Sequence, residues 1–287
     1  VDDESIDSYR IFDDVLYIPG VDATEDALLG NVYFKPSGDA WTKARTLEQN
    51  LHVIDVFAHA GALFASGGGC DDMDHYASGE DQGVLYRSVD GGATWTIVHD
   101  LHDPNPAGVI RYEYFAGVAG NLYAFGNVID TTSRTLTNIP RRFDDGAWTP
   151  VALLPAAWIQ RTYQLDATTA VARGVDLGTG RFRAWRVLAG ETTRALGRFD
   201  SAGQKPVDFF AVAPGEMLVL TRDGNEYPDA TTPPFTWHVF RTNDLFALEE
   251  LLAFTAGETF LCLALWRDAI YLGTADGAIH RSVHVPE

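Results

Sequence analysis

Residues 53–67 read VIDVFAHAGALFASG, and residues 112–126 read YEYFAGVAGNLYAFG. Each stretch holds an apolar segment, a short Gly-containing turn and a second apolar segment that ends at Gly. Two such segments around a short turn predict a β-hairpin. Four more stretches follow this plan, one of them less clearly (162–174) and three clearly (9–20, 207–220 and 260–273). The six starts lie 44 to 59 residues apart, which is typical of one four-stranded β-propeller blade per repeat.

The repeat predicts an all-β fold: a β-propeller of about six four-stranded blades, with five or seven as alternatives, in one domain over residues 1–287. Few stretches have the 3.6-residue period of a helix, and 27 Gly residues interrupt the chain. Residues 243–252 could start a helix after Asn243, but a turn and an outer strand fit the repeat better. The last repeat ends near residue 283, so we expect its blade to lack a fourth strand unless residues 1–6 or another chain supply it.

A second hairpin follows each repeat, and the clearest reads VLYRSVDGGATWTIV over residues 84–98. Its pattern S-x-D-x-G-x-T-W is formed by Ser88, Asp90, Gly92, Thr94 and Trp95. This pattern resembles the Asp-box (BNR) repeat family, which implies a propeller of the sialidase-like superfamily. The Gly residues allow left-handed backbone angles, the Asp can accept turn N–H groups, and the Trp can cover an apolar layer. We therefore predict that the box is a folding device.

The composition excludes some classes of partner. Asp and Glu total 40 against 21 Lys and Arg, a formal net charge of -19, which would repel nucleic acid and anionic membrane surfaces. The apolar runs are about the length of a strand, far short of the roughly 20 residues of a membrane-spanning helix. We expect a soluble protein without nucleic acid or inserted membrane contacts. Residue 1 is Val, so any secretory signal would already have been removed, as in an extracellular or periplasmic protein. The oligomeric state is open.

Propellers usually bind ligands where loops converge around the starts of the innermost strands. Polar residues at the predicted starts form a mixed set of acids, Arg and His. The ligand-binding candidates are His52, Asp55, Arg111, Glu113, Arg161 and Asp208, with Asp7 beside them. These groups could hold a polar ligand such as a sugar, or they could pair with one another. A metal triad of His52, Asp55 and His59 is not expected, because residues an odd number apart face opposite sides of a strand.

Two loops carry residue types that bind metal ions. The loop at residues 20–30 contains Asp22, Glu25 and Asp26, whose oxygens suit Ca²⁺, but it lacks the ordered ligand spacing of a calcium loop. Residues 67–83 contain Cys70 and His75, which are too few ligands for a standard zinc site. We expect solvated acidic loops and no cofactor, with Ca²⁺ as the alternative.

The sequence supports two classes of function. The first is a non-catalytic binding module that holds a glycan, a peptide or a protein partner in the loops around the channel. The alternative, which the Asp-box resemblance implies, is a sialidase-like glycoside hydrolase with a Tyr nucleophile, an acid and an Arg cluster. The residues available for those roles are Tyr112, Glu113, Asp208, Arg10, Arg111 and Arg161. The chain lacks an F-R-I-P segment, so the sequence favours the binding module and leaves catalytic residues unassigned.

Overall fold

The computed structural model describes residues 8–20, 29–36, 38, 40–69, 82–102, 108–130, 133, 135–196, 199, 202–229, 232–243, 247–266 and 268–282. These residues form six antiparallel β-sheets, numbered I to VI along the chain. The chain divides into two compact units, Val1–Ile159 and Gln160–Glu287.

The first unit contains sheets I to III. Sheet I consists of β1 (Arg10–Phe12), β2 (Val15–Gly20), β3 (Leu29–Pro36) and β4 (Thr42–Glu48). Sheet II consists of β5 (His52–His59), β6 (Ala62–Gly69), β7 (Gln82–Ser88) and β8 (Thr96–His102). Sheet III consists of β9 (Gly108–Val118), β10 (Asn121–Asp130), β11 (Thr135–Asn138), β12 (Arg141–Asp144) and β13 (Ala147–Pro150). Strands follow chain order across sheets I and II, whereas β10 pairs with β9, β11 and β12.

The second unit contains sheets V and VI and most of sheet IV, whose first strand begins before the boundary. Sheet IV consists of β14 (Ala157–Asp166), β15 (Thr169–Asp176), β16 (Arg181–Leu188) and β17 (Thr192–Ala195). Sheet V consists of β18 (Gln204–Ala213), β19 (Glu216–Asp223), β20 (Phe235–Thr242) and β21 (Glu249–Ala256). Sheet VI consists of β22 (Phe260–Trp266), β23 (Ala269–Thr274) and β24 (Ile279–Arg281). Within the described residues sheet VI therefore has three strands.

The six repeats of the sequence are the first hairpins of the six sheets: β1–β2, β5–β6, β9–β10, β14–β15, β18–β19 and β22–β23. The predicted fold class, an all-β propeller of about six blades, is confirmed. The expected outer strand is β21, which begins at Glu249 and continues to Ala256. In the described part of the chain, no helix is long and apolar enough to cross a membrane.

The first hairpin turns through Asp13 and Asp14, whose φ angles are 49° and 61°. Two consecutive positive φ values define the tight two-residue turn that matches the twist of antiparallel strands. Asp tolerates this conformation better than most residues because its short polar side chain can bond locally. The turn therefore brings two carboxylates to the end of β1 and β2.

In the described part of the chain, the first strand of four sheets carries a β-bulge before its hairpin turn. In β9, Gly126 pairs with Tyr112 and Phe125 pairs with Tyr114, so that Glu113 is the extra residue. The extra residue at the corresponding irregularities of β5, β18 and β22 is Ile54, Val207 and Leu261. Bulges bend a strand and change the direction of a side chain.

The carbonyls of three of these bulged residues accept hydrogen bonds from side chains that come earlier in the same unit. In the first unit the Ser8 hydroxyl donates to the carbonyl of Ile54, and the Ser66 hydroxyl donates to that of Glu113, each at 2.7 Å. In the second unit the Arg173 guanidinium donates to the carbonyl of Val207. A bulge frees a carbonyl from the ladder, and these side chains satisfy it.

Each pair of neighbouring sheets inside a unit packs through its own apolar cluster. The cluster between sheets I and II includes Tyr17, Val56 and Trp95, and the next one includes Phe57, Phe115 and Trp148. In the second unit one cluster centres on sheets IV and V, and another joins sheets V and VI. The strand residues that face these clusters are apolar at alternate positions, which is why period-two patterning predicts the sheets.

Candidate functional site

Glu113 is the charged residue among the four bulged positions, where the other three are Ile54, Val207 and Leu261. These positions differ in burial: Val207 is buried, Ile54 and Glu113 are half-buried, and Leu261 is exposed. A carboxyl at a half-buried position loses part of its hydration and must be compensated by hydrogen bonds or charge. We take the surroundings of Glu113 as the candidate site of the first unit.

The Glu113 carboxyl is held by Asn127, whose Nδ2 donates a hydrogen bond to its Oε2 at 2.8 Å. Burial raises the pKa of Glu113 to about 7, although the charge of Arg111 and the polar side chains of Trp158 and Asn127 partly oppose this. Near neutral pH the carboxyl is therefore present in both forms, as a residue that gives and takes a proton must be.

Arg111 packs over a glycine, and its charge lowers the pKa of Glu113 in part. A Cβ on Gly68 would lie 2.7 Å from Cγ of Arg111, so a side chain there would displace the arginine stem. Within the described residues, the Nε of Arg111 is buried without a hydrogen-bond partner. The guanidinium therefore keeps one buried donor unused, and its positive charge favours the ionised form of Glu113.

Asp55, another candidate ligand residue, is fully buried and is bonded by the protein itself. Nε and Nη2 of Arg10 contact its two oxygens at 2.9 and 2.8 Å. The amide N–H of Val56 and that of Phe115 donate to the same carboxylate, each at 3.0 Å. Asp55 thereby connects β1, its own strand β5 and β9, which favours a structural role.

The register of β5 corrects one expectation. His52 pairs with Gly68 and Asp55 with Ser66, two residues apart on β6, because Ile54 is bulged. The odd spacing therefore does not send His52 and Asp55 to opposite sides. His52 is half-buried, and its own amide N–H donates to the side-chain oxygen of Asn50 at 3.0 Å.

In the second unit, Asp208 repeats the arrangement of Asp55. Its Oδ2 accepts the amide N–H of Leu263, on the first strand of the next sheet, at 2.9 Å. Burial raises the pKa of Asp208, while the charge of Arg161 and the Leu263 hydrogen bond lower it in part. The guanidinium of Arg161 lies over the ring of Tyr163 at 5.5 Å. The predicted residues Arg161 and Asp208 are thus neighbours in this unit.

A charged group that the sequence analysis missed lies in the same unit. Lys205 Nζ and the Arg222 guanidinium both contact Oδ2 of Asp229, the lysine at 2.9 Å. Burial lowers the pKa of Lys205 to about 7, helped by the charges of Arg222 and Arg173. The shared carboxylate fixes the segment after β19 to the start of β18 and the end of β19. A single Lys and Arg in separate strands give no spacing signal in the sequence.

Two residues considered for a sialidase-like centre, Tyr112 and Arg10, bond other side chains of the protein. Tyr112 is fully buried, and its hydroxyl contacts Nε of Arg141 at 2.5 Å and Nε2 of His99 at 3.0 Å. Burial raises the pKa of Tyr112 to about 12, which is the wrong direction for a nucleophile. Arg10 is paired with Asp55.

The segment from Ser88 to Trp95 is a self-contained turn. The Ser88 hydroxyl donates to Oδ1 of Asp90 at 2.7 Å, and the amide and hydroxyl of Thr94 donate to the same carboxylate at 3.0 and 2.5 Å. These hydrogen bonds from Thr94 and Ser88 lower the pKa of Asp90 to about 2. The Trp95 indole is buried and donates to the carbonyl of Gly92 at 3.0 Å. The carboxylate thus organises the turn.

The metal candidates Asp22, Glu25 and Asp26 lie outside the described residues, as do Cys70, His75 and Asp7. In the part of the chain that the structure describes, no group of three or more His, Cys, Asp or Glu side chains could hold a metal ion. Calcium binding by the loop at residues 20–30 remains a prediction from the sequence.

Asn127 and Trp158 are the residues of the Glu113 site that the sequence analysis missed. Asn127 directly follows Gly126, where the second strand of a repeat was expected to end. A polar residue immediately after that Gly is the signal that could have identified it. Trp158 is near the start of β14 and approaches Glu113 only through folding.

No protein-family model matches the sequence, and no curated protein matches it. Among solved structures, the chain is similar to an α-L-arabinofuranosidase from Fusarium graminearum in complex with an iminosugar inhibitor. The TM-score is 0.51 at 11% identity, covering 93% of this chain and 88% of that chain. It is also similar to a luciferin-regenerating enzyme, with a TM-score of 0.49 at 12% identity over 95% of this chain and 89% of that chain. The similarity to the arabinofuranosidase supports the propeller fold and, at this identity, the fold alone.

Proposed function

We propose that the protein is a glycoside hydrolase of propeller type in which Glu113 donates a proton to the leaving group. The observation that carries the proposal is the half-buried Glu113 carboxyl at the bulge of β9, with a pKa raised to about 7. Glycosidic bonds are cleaved with an acid whose pKa is raised by burial in this way. The arabinofuranosidase with the similar fold supports the choice of a sugar substrate.

The neighbouring groups fit this role. Asn127 holds the carboxyl in place through a neutral hydrogen bond, which lets it lose and regain a proton without changing position. The guanidinium of Arg111, whose charge acts on Glu113, supplies N–H donors for a sugar hydroxyl. The residue that would act as the second carboxylate is not assigned, and no cofactor is required for this chemistry.

The test is turnover of a panel of fluorogenic glycosides that includes an α-L-arabinofuranoside. We expect Glu113→Gln to lower kcat/KM roughly a hundredfold or more, the usual contribution of a general acid. Dinitrophenyl glycosides should lose far less, because their leaving group departs without a proton. Glu48→Gln, an exposed glutamate of the same unit, is the matched control and should keep full activity.

Two results would contradict this assignment. Equal losses on both kinds of substrate would mean that Glu113 is not the proton donor. Full activity of Glu113→Gln, with an unchanged melting temperature, would exclude it from the chemistry altogether.

A non-catalytic binding module is the second candidate, and one observation favours it. Cleavage needs two carboxyl groups, yet Asp55 and Asp208 are bonded by Arg10, Phe115 and Leu263 of the protein. Arg111 and Glu113 would then hold a glycan or protein ligand, outside the cell or in a periplasm. Absence of turnover on the whole panel, with binding on a glycan array that Glu113→Gln weakens, would establish this function instead.

A further inference from the structure

A pocket of about 310 Å³ lies in the first unit, at the turn end of the hairpins β1–β2 and β5–β6. One wall is the Asp13 turn, the second is the turn that follows His59, and the third is the loop from Ser88 to Gly91. Glu113, in contrast, is in the middle of β9, five residues before the last residue of the strand. The volume is at the lower end of the range for small-molecule sites.

The walls combine aromatic rings with one carboxylate. The aromatic side chains are those of Phe12, Tyr17 and His59, and the carboxylate is that of Asp13. Leu63 and Val89 supply apolar surface. Among the described residues that line the pocket, none is Lys or Arg.

The backbone fixes where the negative charge is. Asp13 has a φ of 49° in the tight turn, so its side chain projects from a rigid position. Its charge reaches the wall of the pocket, because it contributes, after burial, to the raised pKa of Tyr17. Burial lowers the pKa of His59, so the imidazole is neutral near pH 7 and adds no opposing charge.

We propose that this pocket binds an organic cation: a guanidinium or alkylammonium group that lies against the rings of Phe12 and Tyr17 and pairs with Asp13. Aromatic faces attract cations through their quadrupole, and a carboxylate gives such a group a charge-assisted hydrogen bond. An anion would meet only repulsion at this rim. The source of the cation is either a free small molecule or an Arg or Lys side chain of another polypeptide.

The experiment is isothermal titration of the full chain at low salt with three isosteric probes: benzamidinium, benzamide and benzoate. The cation should bind roughly tenfold more tightly than neutral benzamide, and benzoate should not bind. Equal affinity for benzamidinium and benzamide, or no binding of benzamidinium, would overturn the proposal.

The chain offers a matched control for the carboxylate. Asp13→Asn should weaken benzamidinium binding roughly three- to fivefold. Asp14→Asn removes the same charge from the next residue, which has the same turn conformation but does not line the pocket, and it should change the affinity far less. Both variants keep a residue that tolerates a positive φ, and melting curves check that each is folded. Equal effects of the two substitutions would mean that Asp13 acts only through long-range electrostatics. That result would contradict the proposed pairing of the cation with Asp13 in the pocket.

The source of the cation is decided by a second comparison. Methylguanidinium is titrated beside a blocked Gly-Arg-Gly peptide that carries the same group. Tighter binding of the peptide identifies a side chain of a partner polypeptide, and equal binding identifies a small-molecule ligand. Both results support the pocket, and both are independent of whether Glu113 is catalytic.

Discussion

The protonation of Glu113 links its environment to two measurable pH dependences. Burial raises the pKa of this carboxyl from 4.5 to about 7, so in the window between these values the folded chain keeps a proton that the unfolded chain has lost. The stability that Glu113 contributes is fully present below pH 4.5 and is lost as the pH rises through about 7. The same ionisation removes the proposed acid, so turnover should fall above pH 7.

This prediction is tested on wild type and Glu113→Gln. The melting temperature of wild type relative to the variant should decrease between pH 4.5 and 7 and then level off. Glu48→Gln, at an exposed glutamate of the same unit, is the control for removal of a carboxylate. A constant difference between wild type and Glu113→Gln would mean that the carboxyl titrates normally.

At the scale of the strand, the hairpins could be predicted from sequence, but the bulges could not. Apolar alternation around a Gly turn is local, so residues 53–67 and 112–126 reveal their strands directly. A bulge is a property of two strands in register, and the sequence of β9 alone does not distinguish Glu113 from Tyr112 or Tyr114. That is why the sequence predicts Glu113 only as one of six ligand-binding candidates and does not identify its neighbours Asn127 and Trp158.

The turn from Ser88 to Trp95 allows a test of its role as a folding device. Trp95 is 6% exposed and packs in the cluster between sheets I and II, so Trp95→Ala should cost about 3–5 kcal/mol. Trp41, 43% exposed in the same unit, is the control, and its replacement by Ala should cost only about 0.5–1 kcal/mol.

Asp90→Ala should also lower the melting temperature, because it removes the acceptor of the hydrogen bonds from Thr94 and Ser88. Chemical denaturation and turnover or ligand binding are measured on the same samples. Stability should fall while kcat/KM or affinity is retained. A loss of function at unchanged stability would show that the turn belongs to a binding site.

For the whole molecule, the sequence predicts one domain over residues 1–287, and two buried aspartates can test this. Asp55 bonds Arg10 and the amide of Phe115 in the first unit, and Asp208 bonds the amide of Leu263 in the second. Asp55→Ala leaves the half-buried Arg10 guanidinium and the amides of Val56 and Phe115 without their acceptor and should cost about 3–5 kcal/mol. Asp208→Ala leaves a buried amide unsatisfied and should cost about 1–3 kcal/mol.

If the chain is one cooperative domain, both substitutions lower the midpoint of the same single transition, because a loss anywhere in a two-state protein destabilises all of it. Calorimetry of wild type, Asp55→Ala and Asp208→Ala measures this directly. Two transitions, one moved by each substitution, would instead show that the first and second units unfold separately. In that case each free-energy cost would belong to one unit by itself.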